Sequence, residues 1–154
     1  MASSNATSTF GSQALSRTRS TENASSKYVL LAGRILFSGI FIMSGFMHFS
    51  SKDIGYAIQA GVPMASFLVP ALGVIAAVGG LSILLGYRAR VGAWLLVLFL
   101  VPVTVMMHNF WVVKDPMMAQ IQIAMFLKNL TMLGAALIIA YFGSGPMSLD
   151  AHQS

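Results

Sequence analysis

Four apolar runs of about 20 residues each, separated by short segments rich in Gly and Pro, constrain this chain more than any other feature. They fall at about residues 28–49, 64–85, 91–110 and 119–142, and each matches the roughly 20 residues that a helix needs to cross a hydrocarbon core. The separators are "SSKDIGYAIQAGVP", "GYRAR" and "WVVKDPMMA", and "GSGP" closes the last run. A bilayer's dry interior admits only helices or closed barrels, and no run alternates with period two. The expected fold is therefore all-α, a four-transmembrane-helix bundle. Composition agrees: 56% of the 154 residues are hydrophobic and 8% charged, against about 25% charged in soluble domains.

Three segments follow from this. Residues 1–27, rich in Ser, Thr, Asn and Ala, have almost nothing to bury and are expected to form a disordered cytoplasmic tail. The same Arg-containing, acid-poor composition also suits a transit peptide, which makes an organelle membrane the alternative location. Residues 28–142 form the membrane domain, and 143–154 a short cytoplasmic tail. Arg17, Arg19, Lys27, Arg88 and Arg90 fall on one side of the bundle, and only Lys52 and Lys114 on the other. Both ends are therefore expected inside. The +5 net charge reflects this topology rather than a nucleic-acid partner, because the basic residues are scattered.

Read at 100° per residue, the helices show which faces turn inward. In the first, Arg34, Ser38, Phe41, Gly45 and His48 share a narrow arc. The second carries Gly73, Ala76, Ala77 and Gly80, a packing surface. Thr104, His108 and Trp111 stack on the third. On the fourth, Gln122, Ala124, Lys128, Asn129, Ala135 and Ala136 lie opposite Ile123, Phe126, Leu130, Leu133 and Leu137, which points Lys128 into the bundle. At 1.5 Å per residue Lys128 lies about 13 Å below the outer end of its helix. An outer polar cluster of His48, His108, Asn109, Gln122, Lys128 and Asn129 is expected, with Arg34 apart from it on the inner side.

A charge in mid-membrane costs about 2.5–3.5 kcal/mol on insertion scales, so Lys128 needs a compensating partner. All four acids, Glu22, Asp53, Asp115 and Asp150, lie outside the four runs. No carboxylate within the membrane neutralises either cation. Lys128 is then held by neutral acceptors of neighbouring helices, or it contacts a ligand such as a quinone carbonyl or an anion. Arg34 is expected to snorkel to lipid phosphates. His48 and His108 have the chemistry of haem ligands, but their shared place near one interface suits hydrogen bonding or proton relay better. Haem is not expected, and neither is a metal site. Without cysteine there is no thiolate or iron–sulfur chemistry. Trp111 and Tyr141 read as interfacial anchors, and the 11 methionines as filler.

The runs "GRILFSGIFIMSGFMHF", "AGVP", "GGLSILLGYRAR", "HNFW", "FLKNLTMLGAALII" and "GSGPMSLD", in this order, resemble the DoxX family of small four-helix bacterial inner-membrane proteins. The resemblance covers nearly everything after the N-terminal tail. It implies a bacterial plasma (inner) membrane location and association with membrane redox systems, with quinone as the implied cofactor and a soluble or membrane oxidoreductase as partner. Arg34, Lys128, Asn129 and "GSGP" match family positions. The chain departs at two places: His48 stands where many relatives have Lys, and Ala76 where they carry an acid, which weakens any activity that depends on that acid.

The leading expectation is a membrane subunit or accessory of a quinone-linked redox system. The alternatives are a non-catalytic protein that binds or conducts a small solute or anion, and an assembly partner, with a homo-oligomer left open. No acyl-transfer triad, metal-ligand spacing, phosphate loop or carboxylate pair can be assembled, so catalysis by the chain alone is not expected.

Overall fold

The computed structural model describes the backbone of residues 4–152 and the side chains of residues 25–152. The tail expected over residues 1–27 lies largely outside the side chains described. Among the described residues six α-helices follow one another: α1 (Ser4–Met47), α2 (Ser51–Gln59), α3 (Ala65–Leu85), α4 (Ala89–Met107), α5 (Pro116–Phe142) and the short α6 (Leu149–His152). A 3₁₀ turn at Phe110–Val112 joins α4 to α5, and the described residues form no strand. Four stretches of the described residues are long and apolar enough to span a membrane: Ser25–Met47, Ala65–Leu85, Ala89–Val112 and Pro116–Phe142. An even number of spans puts both ends of the bundle on one face, and the Lys and Arg excess makes that face cytoplasmic.

The helix starts differ from expectation for local chemical reasons. Helix α5 begins at Pro116, not near residue 119, because Asp115 caps it by accepting from the Met118 N–H at 2.8 Å and Pro116 occupies the first turn. The "KDP" read as a breaker is thus also a start signal. Similarly, the first separator is not all loop. Ser50 accepts from the Asp53 N–H at 3.1 Å and caps α2, whose Ala57 packs with Ala65 and Val69 of α3.

Packing runs in sequence around the bundle, α1 on α3, α3 on α4 and α4 on α5, whereas α1 and α5 do not pack along each other. The core holds Phe41, Ala76, Ile83, Leu96, Phe99, Leu100 and Ala136, all buried. Two glycine pairs let backbones meet. A Cβ added at Gly73 would lie 2.9 Å from the Gly45 carbonyl oxygen, and one at Gly79 would lie 2.9 Å from that of Gly92. In hydrocarbon, where lipid is as apolar as leucine, such close approach is a main source of helix association.

At the inner end the segment after α5 folds back onto the bundle. The Asp150 N–H donates to the Gly86 carbonyl at 2.9 Å, while its carboxylate accepts from the Arg88 N–H at 2.8 Å and the Ala89 N–H at 3.3 Å. A carboxylate from 61 residues away thereby caps α4. The Arg88 N–H holds the Asp150 carboxyl below its ordinary range, outweighing partial burial, with further help from Ala89, Ser144 and the Arg88 charge. Because the folded pKa is the lower one, this stabilisation is complete above the unfolded value near pH 4 and is lost as pH falls through the folded value. Thermal melts in detergent should show the wild type losing stability below about pH 4, and Asp150→Asn losing less over that range while starting lower at neutral pH.

Candidate functional site

The polar residues of the outer half converge on a cavity of about 310 Å³ between α1, α2, α3, α4 and α5. Its wall is mostly apolar, with Phe41, Phe99, Met107 and Met132 among the lining residues. Ser44 and His48 reach it from α1, Asp53 and Tyr56 from α2, His108 from the end of α4, and Lys128 and Asn129 from α5. Ile40 and Lys128 both line the cavity and are exposed. Tyr56 of α2 and Met106 of α4 are exposed lining residues as well, so the cavity reaches the surface among α1, α2, α4 and α5.

The expected cluster is only partly assembled here. His48, His108, Lys128 and Asn129 share the cavity. Gln122 stands behind it, 91% buried, with Oε1 2.8 Å from His108 Nδ1 and its amide nitrogen donating to the Tyr56 hydroxyl at 3.3 Å. Asn109 does not join them: it precedes the 3₁₀ turn and is not among the lining residues. Arg34 sits at the opposite end of the bundle.

Two expectations need correction. Lys128 does not point into the bundle; it is exposed, and its ammonium donates only to Met125 Sδ, at 3.3 Å. The buried line of α5 runs through Gln122, Asn129 and Ala136, seven residues apart, and Lys128 lies one residue, about 100°, off that line. Phe126, expected to face lipid, turns inward instead and meets Phe110 edge-on at 5.5 Å. Since α5 begins at Pro116, Lys128 lies twelve residues, or about 18 Å, along it, near mid-membrane.

Arg34 does not snorkel to lipid. It is 6% exposed, and its guanidinium donates to the backbone carbonyls of Ser144 (3.4 Å) and Met147 (2.5 Å) in the returning segment. Buried carbonyls of an irregular segment need donors, and a guanidinium carries five. Nε of Arg34 and the hydroxyl of Ser38 are buried without a partner. By contrast the α1 stripe is as the spacing predicts: Arg34, Ser38, Phe41 and Gly45 are buried and His48 is half-buried.

Sequence reasoning missed Asp53, Tyr56 and Ser44. Ser50 and Asp53 at the three-residue spacing of a capping box are the signal that would have revealed α2 and its place over the cavity. Asp53 brings an acid to the cavity from outside the spans, which the acid count alone excluded. Among the described residues no three His, Asp or Glu side chains gather as a metal site.

Fold and site together define a small four-span integral membrane protein with a mostly apolar cavity among its helices that several polar side chains line. Comparison with known families is consistent with this class and narrows it: a model of the SURF4 family matches residues 2–154, and the chain belongs to that family. It is 30% identical over 124 residues to inner membrane protein YphA of Escherichia coli (strain K12), covering 79% of this chain and 88% of YphA. It is 32% identical over 127 residues to inner membrane protein YqjF of the same organism, with the same coverage of each chain. No solved structure matches. With two such relatives and four spans, the chain is an integral protein of the bacterial inner membrane. The expected small integral-membrane family is thus found, and it is SURF4.

Proposed function

We propose that this protein is a DoxX-like membrane subunit or accessory of a quinone-linked redox system, and that the outer cavity holds the quinone ring. The observation that carries this reading is the convergence of His48, His108, Lys128 and Asn129 on a mostly apolar cavity between the spanning helices. A volume of about 310 Å³ is at the small end for ligand sites, enough for a substituted ring but not for a long isoprenoid tail. The tail leaves between Ile40 of α1 and Lys128 of α5, both exposed lining residues. Lys128 at the mouth is placed to donate to a ring oxygen, which answers the cost of a mid-membrane ammonium. A partner oxidoreductase supplies or accepts the electrons, because the chain itself has no thiol and the ligand only exchanges them.

The test is binding of a decyl-substituted benzoquinone, in both redox forms, to the protein in lipid nanodiscs. Lys128→Met should weaken binding about tenfold, the loss of one hydrogen bond from a charged donor at about 1.5 kcal/mol. No binding of either form to the wild type, together with anion flux in proteoliposomes, would replace this reading with a solute-conducting one.

A further inference from the structure

We infer that the inner end of the bundle carries a second site, for the head group of an anionic phospholipid of the cytoplasmic leaflet. A pocket of about 600 Å³ opens there between the start of α4, the end of α5 and the returning segment, at the opposite end of the bundle from the outer cavity. Arg88 and Arg90 line it from the start of α4, and Gly143, Ser144 and Asp150 from the segment after α5. Among the described residues the Arg90 guanidinium has no hydrogen-bond or ion-pair partner. A Cβ added at Gly143 would lie 3.4 Å from Arg90 Nε, so the head of this side chain rests against the loop that walls the pocket.

Charge decides what fits. Two arginines and one aspartate are the charged lining residues, which leaves one net positive charge, the complement of a phosphodiester. The Asp150 carboxylate is already engaged, by the Arg88 N–H at 2.8 Å, the Ala89 N–H at 3.3 Å and the Ser144 hydroxyl at 3.3 Å. These bonds also occupy the N–H groups at the start of α4, so the guanidinium groups and not the helix terminus attract the anion. An ammonium head group meets no free carboxylate here, which disfavours a zwitterionic lipid. Phe142, the last residue of α5, and Val91, in the first turn of α4, are exposed and line the same pocket. Free phosphate gains nothing from them, whereas a lipid lays its glycerol and first acyl carbons against them. Basic pockets between spans on the cytoplasmic side are suited to such head groups.

The experiment titrates the full chain, in uncharged detergent at low salt, with phosphatidylglycerol, with phosphatidylethanolamine of the same chain length and with inorganic phosphate. Phosphatidylglycerol should bind at least about fivefold tighter than phosphatidylethanolamine, and Arg90→Gln should weaken its binding by about fivefold. Because Arg90 has no partner within the protein, Arg90→Gln should melt with the wild type when lipid is absent. Lys27→Gln removes a cation from the same face but outside the pocket, and should bind as the wild type does. Equal affinity for the two lipids overturns the inference. An equal loss in Lys27→Gln overturns it too, because diffuse surface charge then accounts for the binding. Displacement of phosphatidylglycerol by inorganic phosphate at similar concentration assigns the arginines to a soluble anion and overturns the lipid site.

Discussion

Gly73→Leu should leave almost no folded protein in the membrane fraction. A Cβ at this position would lie 2.7 Å from His48 Cβ and 2.9 Å from the Gly45 carbonyl oxygen, and the reciprocal Cβ at Gly45 would lie 2.8 Å from the Gly73 oxygen. The obstruction is backbone and Cβ, so no side-chain rotation relieves it. Helices α1 and α3 must separate, and with them go the buried contacts of Ser38 and Phe41 and the wall of the outer cavity. Overpacking costs about 1–3 kcal/mol where neighbours can adjust, and this site should exceed that range. Gly33→Ala is the matched control. Nothing lies within 4 Å of a Cβ there, and alanine favours the helix by about 1 kcal/mol, so the variant should accumulate and melt at or above the wild type. Membrane-fraction yield and thermal melting decide both. Wild-type behaviour of Gly73→Leu would mean that α1 and α3 do not cross at these glycines.

Arg34→Met should release the returning segment while the bundle stays intact. The guanidinium provides two charge-assisted bonds, to the carbonyls of Ser144 and Met147, each worth about 1.5–3 kcal/mol. Part of this is offset because the variant no longer buries a cation with Nε unpartnered. A net loss of about 2.5 kcal/mol is expected, or close to a hundredfold in the opening equilibrium. Hydrogen exchange reads it directly: the Asp150 N–H, bonded to Gly86, should exchange about 100-fold faster, with α3 and α4 still protected. Arg34→Lys should lie between, because one ammonium cannot reproduce the planar fork. Unchanged exchange in Arg34→Met would show that Asp150 and Ser148 hold the segment without it.

The four spans were legible because hydrocarbon thickness fixes their length and nothing local competes with it. The α1 stripe was legible too, because its spacing of fours and threes returns to one face and α1 has a full partner in α3. Lys128 was misplaced for the complementary reason. Helix α5 packs mainly on α4, so only a narrow strip around Gln122, Asn129 and Ala136 is buried, and the face that carries its small and polar residues is wider than that strip. Periodicity gives directions around a helix but not the number of neighbours. The returning segment was illegible because its bonds run from backbone to side chain across 61 to 113 residues, which leaves no local pattern.

On the proposed reading, entry between α1 and α5 changes what affinity means for this protein. A ligand that enters sideways is already dissolved in the bilayer, so its effective concentration is a mole fraction in lipid rather than a molarity in water. Binding curves collected at different lipid-to-protein ratios should superimpose only when plotted that way. A head group with modest intrinsic affinity can then stay bound in the cell, because its hydrophobic tail holds it in the thin layer where the cavity opens.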